Sequence, residues 1–232
     1  MSDAFRLEVD GRELDVVDSG GSLLDVLRDQ LGLRTVKDGC APQGQCGCCT
    51  VLVDGQPRVA CVTPARRVAG RHITTVAGLD DDVRERWAAC LLAAGGSQCG
   101  FCTPGIVVRL SAVTALNDPA VVDRALLAHL CRCTGWQTIR EAAALVAAGG
   151  PMPPARHLEA AALRATIEGR APQRVGLDVV LGDGGFADDI APAGALVALR
   201  AGDGSWAVAP DVAAARVAAG RVQGRRTTLA VT

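Results

Sequence analysis

The chain has 232 residues, 49% of them apolar and 21% charged, with 24 basic against 25 acidic side chains and a net charge of −1. That length allows one to two domains with an ample core, and the charge balance gives no general attraction to nucleic acid or anionic membranes. Three Phe, three Trp and no Tyr also disfavour a stacking platform for single-stranded nucleic acid.

No apolar run reaches the length of a membrane span, and residues 1–10 lack the apolar core of a secretion signal, so a cytoplasmic location is expected. Ten cysteines then stay reduced, which favours metal or redox chemistry over disulfides. Phe5, Leu7 and Val9 alternate with polar residues, the period of a half-buried strand. Asp10-Gly11 is a hairpin turn, and Leu14, Val16 and Val17 continue as the second strand. Ser22 reads as an N-cap with Asp25 three residues on, opening a short helix whose buried stripe is Leu23, Leu24, Val26, Leu27 and Leu31.

The stretch that organises the chain follows, Gly39 to Cys61. Cys40, Cys46, Cys49 and Cys61 are separated by five, two and eleven residues, with glycines at 39, 44 and 47 among them. Plant-type ferredoxins hold a [2Fe–2S] cluster with C-x4-C-x2-C and a distant fourth cysteine. This loop has that form with one extra residue in the first gap, where Pro42, Gln43 and Gly44 lie. Two irons sharing two sulfides need four thiolates, and the resulting anion gains from backbone N–H groups aimed at its sulfurs. Glycines allow that close approach. A four-cysteine zinc site also uses C-x2-C pairs, and unrelated buried thiols are a third reading. Cys48, between two candidate ligands, reads as a spare small residue. Two further strands flank Asp54-Gly55, over 50–53 and 58–62, and a last strand covers 72–76, giving the order β-β-α-loop-β-β-β of a β-grasp ferredoxin-like domain over residues 1–78.

From Asp80 the period becomes helical. Asp80, Asp81 and Asp82 suit a helix start, Val83, Trp87, Cys90, Leu91 and Ala94 share one face, and Gly95-Gly96 ends the helix. Cys90 lies in that stripe and reads as a packed thiol. Cys99 and Cys102 form a C-x2-C pair, after which Thr103 as N-cap and Pro104 at N1 open a helix with Ile106, Leu110 and Val113 on its buried face, closed by Asn117. Asp118-Pro119 repeats the signal for a helix lined by Val122, Leu126 and Leu130 that runs into Cys131-Arg132-Cys133. Thr134 and Gln137 suggest a capping box for a fourth helix to about Ala148. Both cysteine pairs thus precede helix N-termini, whose positive ends suit an anionic cluster. Zinc stays open here too, though C-x-C is less usual for it. The expectation is a four-helix domain over residues 79–150.

Pro151, Pro153 and Pro154 mark a linker. Residues 155–169 read as an Ala-rich helix with Leu158, Ala162 and Ala165 on one face. A Gly-rich loop follows, with a hairpin around Gly202-Asp203-Gly204, a helix over 211–219 and a final strand over 227–231. Gly182-Asp183-Gly184-Gly185 lacks the Lys-Ser/Thr of a phosphate loop. His72, His129 and His157 show no ligand spacing and are assigned surface or packing roles. The expected fold class is α+β, ending in a C-terminal α/β extension over residues 151–232.

The ferredoxin-like loop, then Gln-Cys-Gly-Phe-Cys-Thr-Pro-Gly at 98–105, then Leu-Cys-Arg-Cys-Thr-Gly-Trp at 130–136, together resemble the small iron–sulfur subunit of the molybdenum hydroxylases, the family of xanthine dehydrogenase, aldehyde oxidase and aerobic carbon monoxide dehydrogenase. The resemblance covers roughly residues 4–149 and rests on both motifs in this order. It implies two [2Fe–2S] clusters, one on Cys40, Cys46, Cys49 and Cys61, the other on Cys99, Cys102, Cys131 and Cys133. It places Gln98 and Cys133 beside the molybdopterin cofactor of a large partner subunit. Electrons would pass from that centre through both clusters to FAD on a medium subunit, within a hetero-oligomer for which a dimer of heterotrimers is one arrangement. This chain would take no part in substrate chemistry and hold no catalytic residue. The extra residue in the first gap departs from the family pattern, as does the extension, where Phe186-Ala187-Asp188-Asp189-Ile190 faintly resembles the opening of the large molybdenum subunit. Two readings of the extension stand, a segment that docks the partner and a small independent βα appendage.

Overall fold

A computed structural model describes residues 4–40, 43–154, 156–192 and 194–220. The fold is mixed α/β and falls into two compact units, Met1–Cys40 with Gly44–Gly184, and a smaller one containing Gly185 onward.

The larger unit begins with β1 (Ala4–Val9) and β2 (Arg12–Val17), antiparallel with Leu7 opposite Leu14. Asp10 and Gly11 both take positive φ, 51° and 75°, as a tight turn matched to strand twist requires. The Asp10 carboxylate accepts from the amide and hydroxyl of Thr75, both at 2.7 Å, which ties the turn to the end of the strand that runs parallel beside β1. The helix α1 starts over Leu23–Asp25 with the expected cap: Ser22 Oγ accepts from the Asp25 amide and Asp25 Oδ2 accepts from the Ser22 amide at 2.8 Å. It then widens into a π turn over Val26–Gln30.

The strands β3 (Thr50–Val53) and β4 (Gln56–Val59) pair around Asp54-Gly55. β4 is shorter than expected, because residues 60–62 coil into a 3₁₀ turn. β5 (His72–Thr74) likewise ends early, in a 3₁₀ turn over Val76–Gly78 capped by Thr75. The sheet order is β2-β1-β5-β3-β4, with β1 and β5 parallel. Its core gathers Leu7, Val9, Val16, Leu23, Leu27, Val51, Val53 and Ile73.

Helices follow: α2 (Asp81–Ala94), α3 (Thr103–Ser111), α4 (Pro119–Leu126) and α5 (Gln137–Ala148). Trp87, Cys90, Leu91, Ile106, Leu110, Val122, Leu126 and Ile139 share their core. Each fully buried large side chain among them contributes about 1.5–3 kcal/mol. Several sequence expectations are corrected. Cys102, not Thr103, is the N-cap of α3, and Thr103 is buried with its hydroxyl 3.1 Å from Ser97 Oγ. α3 stops at Ser111, well before Asn117. α4 stops at Leu126, so Leu130 lines no helix and is exposed. The Thr134/Gln137 box does not form. Trp136, at φ 68°, caps α5 without a side-chain bond, and Thr134 Oγ1 instead accepts from the Trp136 amide at 3.2 Å.

α6 (Leu158–Ile167) is shorter than expected and buries none of its residues. A helix that the sequence reading missed, α7 (Leu177–Val180), buries Val179 and Val180. The smaller unit holds α8 (Ala187–Ile190), the hairpin β6 (Val197–Arg200) with β7 (Trp206–Ala209), and α9 (Val212–Ala218), capped by Asp211. The strand expected over 227–231, like Pro42 and Ala155, lies outside the described residues.

Candidate metal centres

The first loop bridges both cores: Cys46 and Cys48 pack with the helices, Cys49 and Cys61 with the sheet. The β3–β4 register explains the last spacing. With Thr50 opposite Val59, the chain just outside each strand end is brought together, and the Cys61 amide donates to Cys49 Sγ at 3.4 Å. The two thiols lie against each other. Cys61 is lowered by the Cys49 thiol and by the Gly44 amide, while Cys49 is raised by Cys61 and by burial. Cys46 is lowered to about 6, first by the Cys48 thiol, with lesser help from the Cys48 amide, the Cys40 thiol and the Gly39 amide. Cys48 is raised by Cys46 and by burial. Gly39 and Gly44 therefore aim N–H groups at sulfur, as the sequence suggested. At Gly39 there is no space for a side chain, since a Cβ would lie 2.9 Å from Cys46 Sγ and 3.0 Å from Cys48 Sγ.

Gly47 has a different role. At φ +68°, an added Cβ would lie 2.5 Å from the Ala128 carbonyl oxygen and 2.6 Å from the His129 ring. The segment before Cys131 presses directly on this glycine.

The second set is also paired. Cys131 is lowered to about 5 by the Cys102 thiol, with help from the Thr134 hydroxyl at 3.1 Å and the Thr134 and Cys133 amides. Cys102 is raised by Cys131 and by burial. Cys99 is raised mainly by burial, with the Cys133 thiol beside it. Only Cys102 sits on a helix N-terminus. Cys131 takes its N–H groups from the loop before α5, which corrects the picture of two helix ends facing one group. Gln98 is half-buried and Cys133 exposed. Cys90, fully buried on α2, is raised by burial, as expected of a packed thiol.

The two loops are joined by a route the sequence did not reveal. The Leu130 amide donates to the Cys46 carbonyl at 3.0 Å. His129, 3% exposed, sets Nε2 3.2 Å from Thr50 Oγ1, which itself donates to the Gly47 carbonyl at 2.7 Å. Burial and nearby Arg109 lower His129 to about 4, so it packs as a neutral ring. Trp136 Nε1 donates to the His129 carbonyl at 2.9 Å.

These sulfurs fit one kind of occupant better than another. A mononuclear zinc site gathers all its donors around one ion. The thiols instead meet in twos, Cys49 with Cys61, Cys102 with Cys131 and Cys99 with Cys133, and Cys46 lies against both Cys40 and Cys48. Two thiolates per iron is the donor pattern of a [2Fe–2S] group.

Comparison with known proteins gives the same chemistry. Residues 7–74 match the 2Fe-2S iron-sulfur cluster binding domain and residues 75–144 the [2Fe-2S] binding domain. The chain is 37% identical over 143 residues to the nicotinate dehydrogenase small FeS subunit of Eubacterium barkeri, covering 60% of this chain and 90% of that protein. It is 39% identical over 140 residues to the nicotine 6-hydroxylase small subunit of Paenarthrobacter nicotinovorans, covering 59% of this chain and 84% of that one. With the aldehyde oxidoreductase of Megalodesulfovibrio gigas it shares 42% identity over 145 residues, 59% of this chain but 16% of the relative. The chain thus spans most of the separate small subunits and a small part of the longer enzyme. Among solved structures, aldehyde oxidoreductase from Desulfovibrio gigas superimposes with TM-score 0.66 at 32% identity, over 86% of this chain and 24% of that one. Quinoline 2-oxidoreductase from Pseudomonas putida 86 matches with TM-score 0.55 at 32% identity, over 63% of this chain and 95% of the matched one.

Proposed function

Since the chain belongs to the iron–sulfur subunit family of the molybdenum hydroxylases and is an electron-transfer component of such an oxidoreductase, we propose a residue-level assignment of its two [2Fe–2S] sites. Cys40, Cys46, Cys49 and Cys61 hold the first and Cys99, Cys102, Cys131 and Cys133 the second, while Cys48 and Cys90 are spare. The pairs Cys49–Cys61, Cys102–Cys131 and Cys99–Cys133 support this assignment, while Cys46 lies against Cys48 as well as Cys40, so the spare role of Cys48 rests on the ferredoxin-like ligand spacing. When bound, a [2Fe–2S] cluster takes up and releases single electrons. This chain's residues supply the thiolates, aim the amides of Gly39, Gly44, Cys133 and Thr134 at sulfur, and bury the sites, which are the levers that set potential.

In this reading residues 1–78 are the β-grasp domain, 79–150 a four-helix domain and 151–232 an extension that docks a partner. The second site, with Gln98 and Cys133, faces the molybdopterin of a large subunit. The first faces a medium FAD-binding subunit. Ten cysteines without a disulfide suit a cytoplasmic setting, and no described helix is long and apolar enough to cross a membrane.

Iron, acid-labile sulfide and electron paramagnetic resonance (EPR) on anaerobically purified protein test the assignment. Two distinct signals on reduction are expected, with one lost in Cys61→Ser and the other in Cys102→Ser. Colourless protein carrying only zinc refutes it.

A further inference from the structure

After α5 the chain runs largely exposed over 156–174, through α6, then returns to the body for one short stretch. Val179 and Val180 of α7 are 1% and 0% exposed, and Val180 joins the helical core with Leu181 packed against it. Gly100, between Cys99 and Cys102, is pressed by this stretch: at φ +79°, an added Cβ would collide with Val179 Cγ1 and lie 2.7 Å from the Val179 carbonyl oxygen. Gly182, at φ +110°, abuts Thr35 less tightly, with a Cβ 3.0 Å from its backbone. Lys37, 1% exposed, donates from Nζ to the Gly182 carbonyl at 2.7 Å. Arg174 pairs with Asp178 and Asp183, and the Asp183 amide bonds the Asp178 carbonyl at 2.9 Å, so the stretch is closed on itself. It is a small self-stapled plug on an exposed tether, seated across the sheet side and the second cysteine loop.

The comparisons indicate what kind of chain such a plug comes from. The domain matches end at residue 144, and the separate quinoline oxidoreductase chain, nearly all of it matched, accounts for 63% of this chain. The Desulfovibrio gigas enzyme accounts for 86%, which leaves about 32 of 232 residues unmatched, so most of the 82 residues after 150 have counterparts there.

We propose that the surface between Thr35, Lys37 and Gly100 is a peptide-docking groove for a segment of a molybdenum-binding chain, and that residues 176–183 are this chain's own copy of that segment, seated in cis. The proposal rests on the iron–sulfur-subunit reading. The groove has what a docking site needs: a buried cation reading a backbone carbonyl, a glycine at 100 that admits the peptide backbone, and an apolar seat for two valines, while Gly182 of the plug lets its own backbone approach Thr35.

The test uses full-length protein with its clusters. Trypsin nicks the exposed tether at Arg170 or Arg174, and the C-terminal piece should stay with the body through gel filtration. Val179→Asp should weaken that retention at least about tenfold, because a buried valine is lost and a charge is placed in its seat. Lys37→Met should weaken it about tenfold by removing a charged hydrogen bond, and carries the test if Val179→Asp fails to fold. A synthetic peptide of the residues of the Desulfovibrio gigas enzyme that superimpose on 174–186 is then added to the variant. Protection of the amides of residues 100–102 from hydrogen exchange supports the proposal. If the nicked piece separates from the wild-type body, the groove is refuted. If this chain's own 174–186 peptide protects and the counterpart does not, the plug is a private strap and the claim about its origin is overturned. The EPR signals of uncut wild-type protein test the underlying reading separately.

Discussion

Gly47→Ala isolates the contact that holds the two cysteine loops together. Alanine at φ +68° meets a left-handed backbone cost of about 1–2 kcal/mol. Its methyl also lands 2.5 Å from the Ala128 carbonyl oxygen and 2.6 Å from the His129 ring. Neither neighbour is the free end of a flexible chain, so the overpacking adds about 1–3 kcal/mol. Two controls separate these effects. Gly55 has φ +75° with nothing within 4 Å of an added Cβ, so Gly55→Ala shows backbone strain alone. Gly105 lies within α3, and its Cβ would collide with the Gly47 carbonyl and lie 2.8 Å from that of Cys48, so Gly105→Ala shows crowding from the opposite side, offset by about 1 kcal/mol of helix propensity. At about 2–4 °C per kcal/mol for a chain of this size, Gly47→Ala should lower the thermal midpoint of cluster-loaded protein by about 4–20 °C, against about 2–8 °C for Gly55→Ala. The magnetic interaction between the two reduced clusters should weaken in Gly47→Ala and Gly105→Ala and remain intact in Gly55→Ala. If Gly47→Ala is no worse than Gly55→Ala in both measurements, the close approach of residues 128–129 is not what couples the loops.

Cys48→Ala and Cys90→Ala should each retain both EPR signals, and loss of one signal in Cys48→Ala would transfer a ligand role to that residue. Cys131→Ser should abolish the second signal and leave the first, as read by EPR at matched iron content. Arg28, 5% exposed, donates to the carbonyls of Val36 at 2.7 Å and Arg34 at 3.3 Å, just before the first loop. Arg28→Met should destabilise by about 2–4 kcal/mol and speed iron release to a chelator, chiefly from the first site; equal release from both sites would show that the strut does not act locally.

Much of this was legible in residue order. The hairpins at Asp10-Gly11 and Asp54-Gly55 announce themselves because a tight turn with two positive φ angles selects those residues. Ser22 with Asp25, and Asp118 with Pro119, mark helix starts for equally local reasons. Cap assignment failed at Thr103 and Thr134, where the hydroxyls bond Ser97 and lie beside Cys131 in place of the helix amides. α7 was missed because a four-residue helix has no periodicity to read, and its two valines are buried by residues far away in the chain.

The cysteine spacings suggested two groups of thiols, and with the residues around them they pointed to the family, because ligand spacing is a short-range property of the chain. The spacing left open how the sets are arranged in space. The Leu130–Cys46 hydrogen bond, the neutral His129 on Thr50, the seat of Val179 on Gly100 and the buried Lys37 all join residues more than seventy positions apart. Such contacts arise when separate cores meet, and each depends on a glycine or a buried polar atom whose role appears only once its neighbour is in place. Gly47 shows this most plainly: in sequence it is one glycine of a cluster loop, and in the folded chain it is where the second loop rests on the first.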